Sequence, residues 1–377
     1  MSNPVSRIKA RHRRLTFNLL SERKEVSRVE IGKKLGVSLQ TAMKIMDYFT
    51  DYGLASHIGG IGTHVGRKPQ IYSFNENAAH IISAVNEGSV LRVGILNLAC
   101  ETLAEETAEL RGSIRSMLVE QPCEIAERLL ERLIKEGRQS ERLLGMAMCL
   151  PGVVDDEQRC ISFAPNLINN ASYQIGDLLD EAAERMHTPV MIENDVNASV
   201  YGEFVYWNTP DLAFIAIGSG VGMGLVLDGK MRRGPNFTAG EIGMMPCGDP
   251  ATLRNVEDLI NLDALKRKFG FDRQFGIQSL NPDARAQMLD AISDVVGSII
   301  ATSAAMLDVS DFVLGGITAD LLGEELLEAT RRKVSIISPL TANLHDRRLS
   351  SPALVGAAKK IMDAYVPTLL SLDSEKQ

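Results

Sequence analysis

The residue with the most evident chemistry in this 377-residue chain is Asp195, which follows the apolar run Val190-Met191-Ile192 and Glu193-Asn194 and precedes Val196-Asn197-Ala198. That pattern reads as a strand passing into a helix. The carboxyl end of a strand is where an α/β fold places ligand-facing groups, and a carboxylate there can accept a proton from an attacking hydroxyl. The same Asn194-Asp195 pair also suits a plain helix N-cap. A second feature is Gly218-Ser219-Gly220-Val221-Gly222-Met223-Gly224, whose glycines fit a phosphate-cradling loop or a tight hairpin with no ligand. A third set, Ser38, Gln40, Thr41 and Lys44, supplies short or flexible donors and acceptors at the start of one helix, the kind that reach base edges and phosphates. The five cysteines, Cys100, Cys123, Cys149, Cys160 and Cys247, stand singly with no CxxC pair. That spacing argues against a disulfide framework and a clustered thiolate metal site.

The elements that position Ser38 to Lys44 lie in the first 54 residues. Arg11–Leu20 has apolar residues at helical spacing. Ser27 with Glu30 three residues on forms a capping-box pattern ahead of Val29, Ile31 and Leu35, and Gly36 ends that helix. Ser38 caps a third helix, whose Leu39, Ala42, Met43, Met46 and Phe49 read as one apolar stripe, and Gly53 stops it. The short Gly-containing turn between the second and third helices is that of a DNA-binding helix-turn-helix; the bland alternative is a small helical bundle with a polar surface. The segment Ala55–Phe74 follows, with Gly59, Gly60, Gly62 and Gly66 before Arg67-Lys68-Pro69 and the strand-like Ile71–Phe74. It reads as a wing whose Arg67 and Lys68 project toward a narrow A·T-rich minor groove or toward phosphates, or as an ordinary basic linker.

Charge divides the chain in the same place. Residues 1–70 hold thirteen Lys and Arg against five Asp and Glu, while the whole chain carries a net charge of -8. A basic head on an acidic body points to a polyanion met by the head alone. With 45% hydrophobic and 23% charged residues, the composition is that of an ordinary globular protein with room for two or three domains. No run of eighteen apolar residues is present, and Met1–Arg14 lacks the apolar stretch of a signal peptide. A cytoplasmic location away from membranes is the expectation.

Beyond residue 76 the pattern changes to apolar strand-like runs at 81–85, 91–98, 143–150, 190–192, 212–217, 225–227 and 312–314. Helical stretches near 116–137, 174–186, 197–206, 256–269 and 284–307 lie between or after them. This predicts an α/β body of two lobes. The boundaries read as 1–76 for the winged helix-turn-helix, 77–196 for a first lobe completed by a C-terminal helix over 355–377, and 197–354 for a second lobe. No internal repeat is visible at the residue level.

Four patterns, in order and spacing, bring a family into view. They are Cys149-Leu150-Pro151-Gly152-Val153-Val154-Asp155, Glu193-Asn194-Asp195-Val196-Asn197-Ala198, the glycine run at 218–224, and Ala239-Gly240-Glu241-Ile242-Gly243-Met244. With Ala164-Pro165-Asn166-Leu167, Leu314-Gly315-Gly316 and Leu354-Val355-Gly356-Ala357-Ala358, the chain over roughly residues 80–360 resembles the ROK family of sugar kinases and repressors. Its head resembles the family's transcription-factor branch. The resemblance implies an actin/hexokinase-like (ribonuclease H-like) body. It assigns Asp195 to the kinase base and Asn194, Glu241, Asn166 and the backbone at Gly152 to sugar contacts. Carboxylates and amides suit a polyol because they offer paired acceptors or donors to adjacent hydroxyls. Read alone, Glu241 is also compatible with a solvated loop carboxylate, and Asn166 with a turn former.

Two departures from the family pattern bear on activity. Where its kinases carry Asp-x-Gly-Gly-Thr to hold nucleotide phosphates and metal, this chain has Val85-Asn86-Glu87-Gly88-Ser89. The Asp is missing and Glu87 adds negative charge beside the phosphates, against the neutralisation that phosphoryl transfer needs. Where the family has a zinc-binding His and a cysteine cluster, this chain has Met244 and the single Cys247. One thiol cannot make a tetrahedral site, so neither zinc nor another cofactor is expected. The resulting expectation is a non-enzymatic, sugar-responsive regulator, a repressor of carbohydrate-metabolism genes, that binds operator DNA as a homodimer or homotetramer. In it Asp195 is a vestigial base. The alternatives are an active sugar kinase with a fused DNA-binding head and a regulator controlled by a protein partner.

Overall fold

The computed structural model describes residues 4–59, 70–140, 142–164, 172–207, 209–247, 254–271, 276 and 280–371. The head comprises α1 (Pro4–Arg23), β1 (Glu25–Ser27), α2 (Arg28–Leu35), α3 (Leu39–Asp51), β2 (Ala55–Gly59) and β3 (Ile71–Phe74). Its three strands form one antiparallel sheet with β3 in the middle. The first helix is longer than the Arg11–Leu20 stripe, and Glu25–Ser27 pairs with β3 before the chain turns into α2. Local chemistry sets both helix starts. Ser27 and Glu30 form the reciprocal capping box, Gly36 closes α2 at φ +67°, and Ser38 accepts the Thr41 N–H.

One expectation for α3 is corrected. Its buried face is Ala42, Ile45, Met46, Tyr48 and Phe49, whereas Leu39 and Met43, read from periodicity as part of the apolar stripe, are 60% and 37% exposed. Val29 in α2 is likewise exposed. The three-helix core is small, and Phe17, Leu20, Ile31 and Leu54 already fill it, leaving no room for the side chains of the first α3 turns.

The body repeats one sheet topology. The first sheet contains β4 (His80–Glu87), β5 (Val90–Leu96), β6 (Thr102–Glu109), β7 (Leu143–Leu150) and, after the small strands β8 (Val153–Asp155), β9 (Cys160–Ser162) and β10 (Tyr173–Gln174), β11 (Val190–Asn194). Its order is β11-β7-β4-β5-β6, with β4-β5-β6 antiparallel and β7 and β11 parallel to β4. The second sheet has β12 (Leu212–Ile217), β13 (Val221–Leu227), β14 (Lys230–Met231), β17 (Asp311–Gly315) and β18 (Asn343–Asp346), following the short β15 (Pro246–Cys247) and β16 (Arg254–Asn255) pair. Its order β14-β13-β12-β17-β18 has the same connectivity. An antiparallel meander followed by two parallel strands added on its first strand therefore occurs twice, although no residue-level repeat records it. In both sheets the carboxyl ends of the parallel strands face one cleft, the position where α/β folds bind ligands.

Helices cover the sheets. The α4 helix (Gln121–Lys135) and α5 (Gly176–Met186) pack on the first sheet. The α6 helix (Asp195–Phe204) joins the lobes; α7 (Val256–Ile260), α8 (Leu262–Phe269), α9 (Pro282–Leu307), α10 (Ile317–Leu322) and α11 (Glu324–Ile337) belong to the second. By length and composition α9 is apolar enough to cross a membrane, but half of its apolar window is buried within the protein. Because α6 is continuous from Asp195 to Phe204, a lobe boundary at 196/197 would cut a helix.

The C-terminal helix α12 (Pro352–Ser371) is the main tie. It lies across the first sheet, packs along α6, and shares one apolar cluster with the head, in which Leu354, Ile361, Val366 and Leu370 join Phe17, Tyr48, Phe49 and Ile81. At its far end the Tyr48 hydroxyl donates to the Leu369 carbonyl at 2.6 Å and Arg13 donates to the Leu370 carbonyl at 2.9 Å. The α6–α12 contact is backbone against backbone: a Cβ on Gly356 would lie 1.8 Å from the Ala198 carbonyl oxygen, and one on Gly202 would lie 2.0 Å from that of Pro352. Gly356→Ala is expected to destabilise the protein by about 3 kcal/mol or more. Gly270→Ala, at φ +70° with no atom within 4 Å of the added Cβ, is expected to cost only about 1 kcal/mol. Thermal melts of the two variants test the difference.

Candidate functional site

Asp195 lies at the N-terminus of α6, at the floor of the cleft, with its Oδ1 accepting the Val196 N–H at 2.9 Å. Burial, and then the charge of Glu87, push its carboxyl up to about 7. Asn194 is the N-cap of α6: its Oδ1 accepts the Asn197 N–H at 2.9 Å while its Nδ2 donates to the Gly152 carbonyl at 2.9 Å. The structure thus brings Asn194, Asp195 and Gly152 together, and the capping role and the cleft position coexist in one residue. Gly152 stands at φ +84°, and a Cβ there would meet the Ser162 carbonyl oxygen at 2.6 Å, so the turn requires glycine.

Glu241 reaches the same cleft from the second lobe through packed glycines. Cβ atoms on Gly222 and Gly224 would meet the Val196 side chain at 3.1 Å and the Val196 carbonyl oxygen at 2.6 Å, so β13 lies directly against α6. On the other side of β13 the Met223 N–H donates to the Gly240 carbonyl at 2.8 Å. Gly240, at φ +92°, has no room for a Cβ, which would lie 1.7 Å from the Met223 carbonyl oxygen. Asp195, β13 and Glu241 are therefore fixed relative to one another by close backbone contact. Burial, followed by the charge of Glu257, raises the Glu241 carboxyl above its ordinary range.

Glu257, not singled out from the sequence, belongs to this group. Its Oε2 lies 2.8 Å from where a Cβ on Gly243 would be, and its Oε1 lies 3.4 Å from that of Gly220; burial and then Asp258 raise its pKa. The signal available in the sequence was an acidic residue at the second helical position after the Asn255 cap. On the opposite wall, burial also raises the carboxyl of Glu87, against the opposing charges of Arg92 and Arg347. The turn that carries Glu87 abuts the second lobe, since a Cβ on Gly88 would lie 3.2 Å from Ser219 Oγ.

Behind the cleft a charge network joins both lobes to α12. The buried Lys360 ammonium donates to Asp156 Oδ2 at 2.7 Å, to the Ile192 carbonyl at 2.7 Å and to Glu193 Oε2 at 3.0 Å. Arg233, from the second lobe, pairs with the same Glu193 carboxylate and approaches Asp156 Oδ2 at 3.5 Å. The other Glu193 oxygen accepts the Asn194 N–H at 3.0 Å. Glu193 stands in the Asn194-Asp195 pattern with no role assigned to it, and Lys360, Asp156 and Arg233 were not marked in the sequence. Lys360 follows Gly356 by four residues, on the buried phase of an apolar helix, and a charge at that phase was the available signal.

In the head, Ser38 Oγ and Thr41 Oγ1 lie 3.0 Å apart and are engaged with each other at the start of α3. Gln40 and Lys44 are exposed beside Leu39, Met43 and Asp47. Arg67, Lys68 and Asn166 lie outside the described residues. Among the described residues no group of three or more His, Cys, Asp and Glu is placed to hold a metal. Met244 is exposed, and residues 248–253 add neither Cys nor His, so the donor set does not fit a tetrahedral zinc.

The sequence model of the ROK family matches residues 87–257. A protein named xylose repressor from Caldicellulosiruptor bescii is 24% identical over 352 residues, covering 85% of this chain and 86% of that protein. Among solved structures, a ROK family transcriptional regulator described as a homolog of the E. coli MLC protein superposes with a TM-score of 0.76 at 19% identity, covering 96% of this chain and 98% of that one. A ROK family glucokinase from Streptomyces griseus, in complex with glucose and AMPPNP, superposes with a TM-score of 0.61 at 21% identity, covering 74% and 98%. The kinase covers less of this chain, and the structure that spans nearly all of it is a regulator. Fold, motif order and sequence similarity agree, and over residues 87–257 the chain matches the ROK family.

Proposed function

We propose that this protein is a sugar-responsive transcriptional repressor that transfers no phosphate. The observation that carries this reading is the sharing of α12 by a winged helix-turn-helix and a sugar-kinase-like cleft. Operator DNA binds the head through Gln40 and Lys44 on α3, with Ser38 and Thr41 at the helix start and Arg67 and Lys68 on the wing. The effector binds among Asn194, Asp195, Glu241, Glu257, Asn166 and the Gly152 turn. Two heads are needed to span paired half-sites, so the working form is a homodimer or a pair of dimers. The similarity to xylose repressors over most of the chain supports this function.

Two features argue against phosphoryl transfer. Glu87 stands where a kinase of this fold must neutralise phosphate charge, and the Gly88 turn lies against Ser219, so the two loops that would embrace phosphates meet each other. In this reading Asp195 serves as a hydroxyl-binding group.

The charge of the cleft selects the effector. Burial and neighbouring carboxylates raise Asp195 and Glu241, and Arg233 is already engaged by Glu193 and Asp156. A phosphate ester would meet like charge here, whereas a neutral aldose offers hydroxyls that these groups can bind. Xylose is the first candidate, from the relatives' names. Anisotropy titrations on DNA from upstream of the gene are expected to show binding that is salt-sensitive and released by a neutral aldose, but not by its phosphate ester. Glu241→Ala is expected to keep its DNA affinity and lose the release. DNA binding indifferent to every sugar tried would favour control by a protein partner, and ATP-dependent sugar phosphorylation abolished by Asp195→Asn would establish a kinase.

The Asp195 carboxyl also makes stability depend on pH. Its pKa is raised on folding, so the stability it contributes is full below the unfolded value near 4 and is lost as pH rises through about 7. Asp195→Asn removes the charge that burial disfavours. At pH 8 the variant is expected to be more stable than the wild type by about 1–2 kcal/mol, a rise in Tm of roughly 2 °C. The gain should vanish near pH 4, where both side chains are neutral. Equal gains at both pH values would place Asp195 outside the desolvated cleft.

A further inference from the structure

The exposed face of α3 is unusual for a helix that must meet a polyanion. Leu39 and Met43, 60% and 37% exposed, lie one helical turn apart, next to the exposed Gln40 and Lys44. A single exposed apolar side chain is ordinary. Here two stand side by side on the first two turns of the helix that follows the Gly36 turn, the part of a helix-turn-helix that enters the major groove. Their surroundings indicate what covers them. Lys33 and Lys34 at the end of α2 and Lys44 on α3 are exposed, and Asp47, the acidic residue on the same α3 face, lies 3.9 Å from the Arg28 guanidinium. Exposed lysines on α2 and α3 thus accompany the apolar pair and suit DNA phosphates.

In the major groove, the C5-methyl group of thymine is the apolar feature of the base edges. We infer that Leu39 and Met43 read thymine methyl groups in the operator, making α3 selective for A·T pairs at the positions they touch. Gln40, between them in sequence, presents an amide that pairs with the N6 and N7 atoms of adenine, so donor chemistry and apolar contact select the same base pairs. This inference rests on the proposal that the head binds DNA. It is separate from the wing, whose Arg67 and Lys68 would address the minor groove.

The test uses the full-length protein and a duplex selected by it from a randomised library. Each thymine in turn is replaced by deoxyuridine, which lacks only the C5-methyl group, and Kd is measured by anisotropy at fixed salt. Burial of one methyl group corresponds to roughly a 3- to 10-fold change in affinity. The wild type is expected to weaken by that factor at one or two positions per half-site. At those positions Leu39→Ala or Met43→Ala should bind the thymine and deoxyuridine duplexes equally, with sensitivity elsewhere unchanged. A wild type that binds every deoxyuridine duplex as tightly as the parent overturns the inference, whatever the variants do. Sensitivity that persists unchanged in both alanine variants also overturns it. If the library yields no bound duplex, the DNA-binding reading itself falls, and this inference with it.

Discussion

The arrangement depends on one charge network, buried at Lys360 and Glu193 and half-buried at Asp156 and Arg233. Lys360, Glu193, Asp156 and Arg233 come from the C-terminal helix, the end of β11, the turn after β8 and the loop after β14. Two cations and two carboxylates make the set neutral, and the Ile192 carbonyl takes a further Lys360 proton. Burying charges is costly, and such a set holds only when its members are mutually satisfied; removing one partner of a buried pair typically costs about 3–5 kcal/mol. Glu193 in turn accepts the Asn194 N–H. The pose of the cleft residues, the contact between the lobes and the seating of α12 are consequences of the same few hydrogen bonds.

What could be read from the sequence was what is determined locally. Ser27 with Glu30, Gly36 and Ser38 fix three helix boundaries within a few residues of themselves, and β7 and β12 have the bounds of their apolar runs because both faces of each strand are buried. The failures were those of tertiary context. The β6 strand, Thr102–Glu109, alternates polar residues on an outer edge and carries no apolar run. Leu39 and Met43 fall at helical spacing with Met46, yet the core they would enter is already filled from α1 and α2. In the cleft, Asn194, Asp195 and Glu241 were legible because they sit in dense motifs. Lys360 and Arg233 were not, because the partners that give them meaning lie far away in the chain.

The glycines of the kinase-like fold answer to packing. In the run 218–224, Gly222 and Gly224 seat β13 against α6, and a side chain on Gly315 would collide with the Phe214 ring, a Cβ coming within 2.3 Å of its Cζ. These positions are set by packing, so the fold needs them whether or not phosphate is bound. The Glu87 side chain at the end of β4 is under no such constraint, since it is exposed and not packed in the core. Glycine motifs of this fold are therefore evidence of shape, and the acidic or neutral character of the turn after β4 is the better evidence of activity.

The same network limits how an effector can act. Coupling between a ligand and a distant site is commonly worth about 1–3 kcal/mol, less than the cost of pulling one partner out of a buried charged set. A sugar in the cleft cannot therefore work by tearing Arg233 away from Glu193. An arrangement in which the network stays whole, with the second lobe tilting about it, would cost less. A tilt of that kind moves β13, against which α6 is packed backbone to backbone, and α6 is locked to α12 through Gly202 and Gly356. Because Tyr48 and Arg13 hold the carbonyls of Leu369 and Leu370 at the end of α12, the head moves with the helix. Close backbone packing lets a small displacement at the cleft arrive at the head undiminished, where flexible side chains would have absorbed it.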